Sequence, residues 1–91
     1  MIDIYTAKYC PFCEKAIVLL FRKGISFTVH DVTDDPDKRD SLEGQTGCPT
    51  IPQVFIDDRF VGGCSDLQEL DRTGELDKLL EGINDQNKSK L

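Results

Sequence analysis

The stretch Cys10-Pro11-Phe12-Cys13 constrains the fold more than any other part of the chain, because it stands between a predicted strand and a predicted helix. Residues 2–6 alternate apolar and polar side chains, whereas residues 11–24 carry apolar side chains three and four positions apart. Cys10 would therefore lie at a helix start, where unpaired N–H groups and the helix dipole favour a thiolate. Cys13 would lie one turn further in, on the same buried face. This spacing favours a redox pair with one exposed and one sheltered sulfur.

A metal site, with zinc or an iron–sulfur cluster, is the alternative interpretation of these two thiols. A mononuclear zinc site would need two further ligands, but Cys48 and Cys64 are 16 residues apart and belong to no second CxxC pair. His30, the single histidine, lies at the far end of the second predicted strand. We therefore favour redox chemistry and expect no bound metal.

Composition and charge limit the classes of protein to which the chain can belong. With 91 residues and 38% hydrophobic content there is room for one domain, which we place at residues 1–83, and we expect the polar residues 84–91 to be a disordered tail. The net charge of −6 argues against nucleic acids and anionic membranes as partners. We expect no secretory signal, and the longest apolar run is far shorter than the roughly 20 residues that span a bilayer. The expectation is a soluble, cytoplasmic monomer with reduced thiols.

Turn and capping residues divide the middle of the chain. The alternating residues 25–32 predict a second strand, which completes a strand, helix, strand unit with parallel strands. Asp35-Pro36 predicts an N-cap followed by the first helical position. A short polar helix over residues 37–42 would follow and would be stopped by Gly44 and Gly47.

The last third predicts a hairpin and a helical region. Residues 53–57 and 59–62 are two short strands that turn at Asp57-Asp58. Ser65 and Gln68 fit a capping box, which predicts a helix start at Ser65. The apolar anchors of this region, on either side of a break at Thr73-Gly74, are Leu67, Leu70, Leu76, Leu79, Leu80 and Ile83.

Three separated segments together resemble the dithiol glutaredoxins, a family with the thioredoxin fold, over roughly residues 2–82. The segments are Tyr5-Thr6 before the CPFC motif, then Thr50-Ile51-Pro52-Gln53-Val54-Phe55-Ile56, then Gly62-Gly63-Cys64-Ser65-Asp66-Leu67. A CxxC pair alone is moderately specific, whereas the three segments in this order are highly specific. The resemblance implies an α/β fold of order β-α-β-α-β-β-α. Its four-stranded mixed sheet would have parallel first strands, an antiparallel final hairpin and flanking helices.

The resemblance also implies a role for each segment. Cys10 resembles the family's nucleophile, which attacks a protein–glutathione mixed disulfide or a protein disulfide, and Cys13 resembles the resolving cysteine. Pro52 resembles the family's cis-proline, next to which the Ile51 backbone would pair with the cysteine of glutathione. The implied glutathione-binding residues, including the segment that would hold the γ-glutamyl end, are Lys8, Phe12, Thr50, Ile51, Pro52, Gly63, Cys64, Ser65 and Asp66.

The chain departs from the family pattern where the glycine carboxylate of glutathione would be held. Glutaredoxins often have a lysine three residues before the nucleophile, but Ala7 stands there and Lys8 follows it. Cys48-Pro49 stands where a basic or polar residue is common in the family. Lys8, Arg39 and Gln45 are the candidates for this carboxylate, and Lys8 is preferred.

Several residues of the implied site keep an alternative interpretation. Asp66 is either an acceptor for the glutathione amine or only a helix-start residue. Cys64 acts through its backbone or as a third redox thiol. Cys48 is either a small loop residue or a site of glutathionylation or of a second disulfide. Tyr9 and Phe12 are interpreted as walls of the substrate groove.

Together these features favour a glutathione-dependent thiol–disulfide oxidoreductase that reduces protein–glutathione mixed disulfides and protein disulfides. Glutathione is the expected co-substrate, and glutathionylated or disulfide-containing proteins are the expected partners. One alternative is a hydrogen donor of the same fold that is reduced by thioredoxin reductase. The other is a dimer that carries an iron–sulfur cluster, which the proline within the CPFC motif disfavours by family analogy.

Overall fold

The computed structural model describes residues 1–81, so the predicted tail and the predicted anchor Ile83 lie outside the described residues. The elements are β1 (Ile2–Thr6), α1 (Pro11–Arg22), β2 (Thr28–Asp31), α2 (Pro36–Thr46), β3 (Gln53–Ile56), β4 (Arg59–Gly62) and α3 (Cys64–Thr73). A further helical run covers residues 75–81. Within the described residues, no helix is long and apolar enough to cross a membrane.

The four strands form one mixed sheet in the order β2-β1-β3-β4. β1 is parallel to β2 and antiparallel to β3, and β3 is antiparallel to β4. Asp57 and Asp58 close the β3–β4 hairpin with φ angles of 50° and 66°, as a two-residue turn of type I′ requires. The predicted fold class and the predicted hairpin are therefore confirmed.

The core lies where the sheet meets α1 and α3. Helix α1 directs Cys13, Ala16 and Leu20 inward, because these positions recur three and four residues apart. Gly74 ends α3 at the predicted break, with a φ of 84°. The anchors Leu67, Leu76 and Leu80 are buried as predicted, Leu70 packs against them from a partly buried position, and Leu79 is exposed instead.

Strand β2 is shorter than the predicted run of eight residues. It covers only Thr28–Asp31, the residues that pair with β1, its single neighbour in the sheet. Ile25 and Phe27, which the alternation places in the strand, pack against the core from the preceding connection. The connection itself starts after α1, which ends at Arg22 and leaves Gly24 with a φ of 70°.

Helix α2 is longer than predicted. Asp35 caps it by accepting a hydrogen bond of 3.1 Å from the Lys38 N–H, as expected. Gly44 lies inside the helix rather than ending it, since an interior glycine costs only about 1 kcal/mol relative to alanine. The helix ends at Gly47, whose φ of 76° lets its N–H donate to the Glu43 carbonyl at 2.7 Å.

Candidate active site

Cys10 is the N-cap of α1. Its backbone is extended, with φ −112° and ψ 102°, and Pro11 follows at a position where a helix has no use for an N–H group. The Cys10 Sγ atom accepts a hydrogen bond of 3.2 Å from the Cys13 N–H. A thiolate on Cys10 is therefore met by a backbone donor and by the positive end of the helix dipole. Because Cys10 is only half-buried, a substrate sulfur can reach it.

Cys13 lies one turn inside α1 and is 1% exposed. Burial raises the pKa of its thiol to about 12, and the hydrogen bond with Cys10 adds to this increase. The Cys13 thiol is consequently protonated at neutral pH. The predicted arrangement, with one accessible and one sheltered sulfur, is confirmed.

The loop before β3 carries a cis peptide bond between Ile51 and Pro52, as the family resemblance implies. Pro52 itself is buried, whereas Ile51 is half-buried and Thr50 is exposed. Thr50, Ile51 and Pro52 of this loop line the same cleft as Phe12 of α1. The predicted residues of the second segment are thus brought to one wall of the site.

Gln53 holds this loop in place, a role that the sequence interpretation missed. Its side chain is 1% exposed, and Nε2 donates to the carbonyl oxygens of Cys48 at 2.8 Å and Thr50 at 3.2 Å. Its Oε1 accepts from the Thr46 hydroxyl at 3.3 Å. A polar side chain in an otherwise apolar strand was the available signal, since a buried amide must find partners.

Helix α3 begins earlier than the sequence predicts, with Gly63 rather than Ser65 as its N-cap. The Asp66 carboxylate accepts a hydrogen bond of 2.9 Å from the Gly63 N–H, so Asp66 has the role predicted for Gln68. A Cβ atom on Gly63 would lie 3.2 Å from the Pro52 carbonyl oxygen. The missing side chain therefore lets the chain enter α3 close against the loop that contains the cis bond.

A cleft of about 460 Å³ lies between the start of α1, this loop and the start of α3. Its lining residues are Phe12, Cys48, Thr50, Ile51, Pro52, Gly63, Cys64, Ser65 and Asp66. Eight of these nine match the glutathione-binding residues that the family resemblance implies. The fold thus brings together three segments that are far apart in the chain, and it adds Cys48 to them.

The two thiols of the cleft differ from each other. Cys64 is 5% exposed, and burial raises the pKa of its thiol, an effect that the charge of Lys15 partly opposes. Cys48 is half-buried, and its sulfur lies 3.4 Å from the Thr50 hydroxyl oxygen. Cys48 is therefore the more accessible of the two.

Two predicted residues lie elsewhere. Lys8 is exposed outside the lining of the cleft, and its N–H donates to the Thr33 hydroxyl at 2.7 Å. Its contact with glutathione stays a prediction. Tyr9 has a φ of 59°, is 98% exposed and does not line the cleft. The interpretation of Tyr9 as a groove wall is wrong, whereas Phe12 lines the cleft as predicted.

Comparison with known proteins shows to which protein family the chain belongs. The family model for glutaredoxin matches residues 2–61. Glutaredoxin 3 of Escherichia coli K12 is 42% identical over 80 residues, which cover 88% of this chain and 96% of that protein. The chain belongs to the glutaredoxin family. A solved glutaredoxin from Brucella melitensis, 43% identical, matches with a TM-score of 0.78 over 87% of this chain and 86% of its own.

Membership in the glutaredoxin family makes the protein a thiol–disulfide oxidoreductase with the thioredoxin fold. Buckwheat glutaredoxin, solved in complex with glutathione, is 27% identical and has a TM-score of 0.84, over 91% of this chain and 78% of that chain. Among residues 1–81 of the present glutaredoxin, no three His, Cys, Asp or Glu side chains gather as a metal-binding group.

Proposed function

We propose that this glutaredoxin is a glutathione-dependent oxidoreductase that reduces protein–glutathione mixed disulfides and protein disulfides through Cys10 and Cys13. The observation that carries the proposal is the composition of the cleft, which combines the start of α1, the loop with the cis bond and the start of α3. Phe12, which lines this cleft, follows Cys10 by two positions in the chain. The buckwheat glutaredoxin, which was solved with glutathione, supports the same ligand by similarity.

The cysteine and γ-glutamyl parts of glutathione find chemically matched groups in the cleft. The Ile51 N–H and carbonyl pair with the backbone of the glutathione cysteine, as one strand pairs with another. The N–H groups of Ser65 and Asp66, in the first turn of α3, are donors for the γ-glutamyl carboxylate. The second carboxylate oxygen of Asp66 is an acceptor for the γ-glutamyl ammonium. Lys8 is the proposed partner of the glycine carboxylate.

The reaction is a pair of thiol–disulfide exchanges. The Cys10 thiolate attacks the glutathione sulfur of a mixed disulfide, a Cys10–glutathione disulfide forms, and the substrate protein leaves as a thiolate that takes up a proton. The thiolate of a second glutathione then attacks the glutathione sulfur held by Cys10. Cys10 leaves as a thiolate and glutathione disulfide is released. Overall, the protein–glutathione disulfide is reduced to a protein thiol. The glutathione unit from the substrate and one free glutathione leave as glutathione disulfide.

Cys13 provides a second route for protein disulfides. Its thiol loses a proton and attacks the Cys10 sulfur of the mixed disulfide, which forms a Cys10–Cys13 disulfide and releases the bound thiol. Two glutathione molecules then reduce this disulfide in successive exchanges. Because burial raises the pKa of Cys13 to about 12, the thiolate of Cys13 is scarce at neutral pH, and glutathione has the advantage as the resolving thiol.

The test is turnover of the mixed disulfide of glutathione and 2-mercaptoethanol. NADPH oxidation is the readout. One reaction supplies glutathione with glutathione reductase, and the other supplies thioredoxin reductase alone. Rapid turnover in the first reaction only is the expected result. Turnover in the second reaction only would identify a hydrogen donor for which glutathione is not the electron source. Iron bound after anaerobic reconstitution, without turnover in either reaction, would identify a cluster carrier.

A further inference from the structure

A second depression starts one residue after the nucleophile, on the outer face of α1. It has a volume of about 600 Å³, and Pro11, Lys15, Val18 and Arg22 of α1 face Gln68 and Asp71 of α3 across it. These four residues of α1 are spaced by four, three and four, so they form one stripe along the helix. We call this depression the α1–α3 groove.

The α1–α3 groove and the cleft adjoin at Lys15 and Phe12. The Lys15 Nζ atom lies 5.5 Å from the centre of the Phe12 ring, and Phe12 lines the cleft whereas Lys15 lines the groove. The Lys15 charge also acts on Cys64, which lies on the cleft side. A molecule bound covalently at Cys10 can therefore extend into both depressions.

The groove exposes two cations, Lys15 and Arg22, although the net charge of the whole chain is −6. Lys23 is neutralised by Asp71 and Asp77, whose carboxylate oxygens lie 2.5 Å and 2.8 Å from its Nζ atom. Lys15 and Arg22 are both exposed, and within residues 1–81 neither forms an ion pair. Three cations, Lys15, Arg22 and Lys23, balance the three carboxylates of Glu14, Asp71 and Asp77, so the positive charge of the groove is local to Lys15 and Arg22. Exposed Val18 adds an apolar surface between them.

The geometry points to an acidic segment of the substrate protein as the occupant of the α1–α3 groove, an inference that rests on the proposed function. In the proposed first step, glutathione occupies the cleft and the protein is the leaving group, so the protein chain must lie outside the cleft. The groove is the adjoining depression, and its exposed cations, Lys15 and Arg22, are complementary to Asp and Glu side chains. An open groove lined by exposed side chains suits a partner that leaves after each turnover.

The spacing of the two cations specifies the acidic pattern. At 1.5 Å per helical residue, Lys15 lies about 6 Å and Arg22 about 16 Å from Pro11 along the helix axis. A substrate segment in polyproline II conformation advances about 3.1 Å per residue and returns to the same face every third residue. Acidic residues about two and five positions from the substrate cysteine would therefore face Lys15 and Arg22 together.

The experiment compares glutathionylated peptides as substrates of the whole protein in the glutathione-coupled assay. In one peptide Glu stands two and five residues before the cysteine, in another two and five residues after it, and matched peptides carry Gln at these positions. We expect kcat/KM for at least one Glu peptide to exceed that of its Gln counterpart by about fivefold at low salt, with the difference falling as salt is added. Equal values for both pairs would overturn the inference.

Charge reversal separates the groove from the overall charge of the protein. Arg22→Glu is expected to remove most of the preference for Glu peptides, and to prefer a peptide with Lys five residues from the cysteine. Arg59→Glu changes the net charge equally, at an exposed position of β4. This variant is expected to keep the preference for the Glu peptides. Equal loss in both variants would overturn the inference, because the effect would then be one of net charge.

Two further measurements separate peptide binding in the groove from damage to the reaction centre and from self-association. Turnover of the small mixed disulfide with 2-mercaptoethanol is expected to stay within about twofold in Arg22→Glu, since this substrate has no peptide segment. Failure of the wild type on that substrate would refute the proposed function itself.

Sedimentation at high protein concentration is expected to show no self-association that depends on Arg22. Association that Arg22→Glu abolishes would assign the groove to a second copy of the chain and overturn the inference.

Discussion

The starts of α1 and α3 both line the proposed site, but they are closed in different ways. At α1 the capping atom is the Cys10 sulfur, which accepts the Cys13 N–H at 3.2 Å. At α3 the N-cap is Gly63, which has no side chain, and Asp66 instead reaches back to the Gly63 N–H at 2.9 Å. One helix start is thus closed by a nucleophile, and the other by a carboxylate from within the helix.

This difference gives the two helix starts different proposed roles. Capping by sulfur keeps a donor on Cys10 while leaving the sulfur accessible, which suits a group that must form and break covalent bonds. Capping by Asp66 leaves the space in front of Gly63 open, so that a ligand can approach the backbone N–H groups of the first turn. The start of α1 is thus the proposed reaction centre, and the start of α3 is the proposed binding surface.

The largest expected effect separates the two sulfurs of α1. Cys10→Ser is expected to lower turnover of a glutathione mixed disulfide by at least about a thousandfold, since it removes the nucleophile. Cys13→Ser is expected to stay within about threefold of the wild type, because glutathione can resolve the intermediate. The measurement is the glutathione-coupled assay. Activity in Cys10→Ser, or its complete loss in Cys13→Ser, would reverse or refute the roles given to the two cysteines.

Asp66→Ala tests whether the start of α3 binds substrate or only caps a helix. Loss of one charge-assisted hydrogen bond to the glutathione amine is expected to raise KM for the mixed disulfide about tenfold. The matched control is Asp35→Ala, since Asp35 caps α2 through a similar hydrogen bond of 3.1 Å to the Lys38 N–H. Both variants are expected to lose about 1 kcal/mol of unfolding free energy. An unchanged KM in Asp66→Ala would reduce Asp66 to a capping residue.

Gly62→Ala tests how closely the α3 start must be packed. A Cβ atom at Gly62 would overlap the Asp66 carboxyl group, and its φ of 137° disfavours any side chain. We expect about 2 kcal/mol of destabilisation and a severalfold rise in KM. Gly47→Ala is the matched control, because it has a φ of 76° but open space around it. That variant is expected to lose stability, measured by urea unfolding, without a change in KM.

Local sequence signals predicted those parts of the site that depend on neighbouring residues. The cap at Cys10, the cap at Asp35 and the turn at Asp57-Asp58 each follow from residues within one turn of the chain. The start of α3 does not, because its position depends on how closely Gly63 approaches the Pro52 carbonyl oxygen, eleven residues away in sequence. Ser65 satisfies the local rule for a cap, but the long-range contact decides the outcome.

The same distinction applies to residues that support the site. Gln53 belongs to a strand in the sequence pattern, yet it holds the loop before it through two hydrogen bonds and the end of α2 through a third. Tyr9 and Phe12 both flank the thiols in sequence, but of the two Phe12 alone lines the cleft. Family resemblance supplied the proximity of the three segments of the cleft, which residue spacing alone does not predict.

The smallest expected effect concerns the buried end of the α1 start. Because burial raises the pKa of Cys13 from an ordinary value of 9.0 to about 12, the unfolded chain loses this proton at lower pH than the folded chain does. Cys13 therefore contributes fully to stability below pH 9, and the contribution falls as pH rises from 9 towards 12. At about pH 10 the loss is expected to be about 1 kcal/mol. Urea unfolding at about pH 7 and about pH 10 measures it, and Cys13→Ser is the control because serine does not titrate. An equal pH dependence in both proteins would show that burial does not raise the pKa of Cys13.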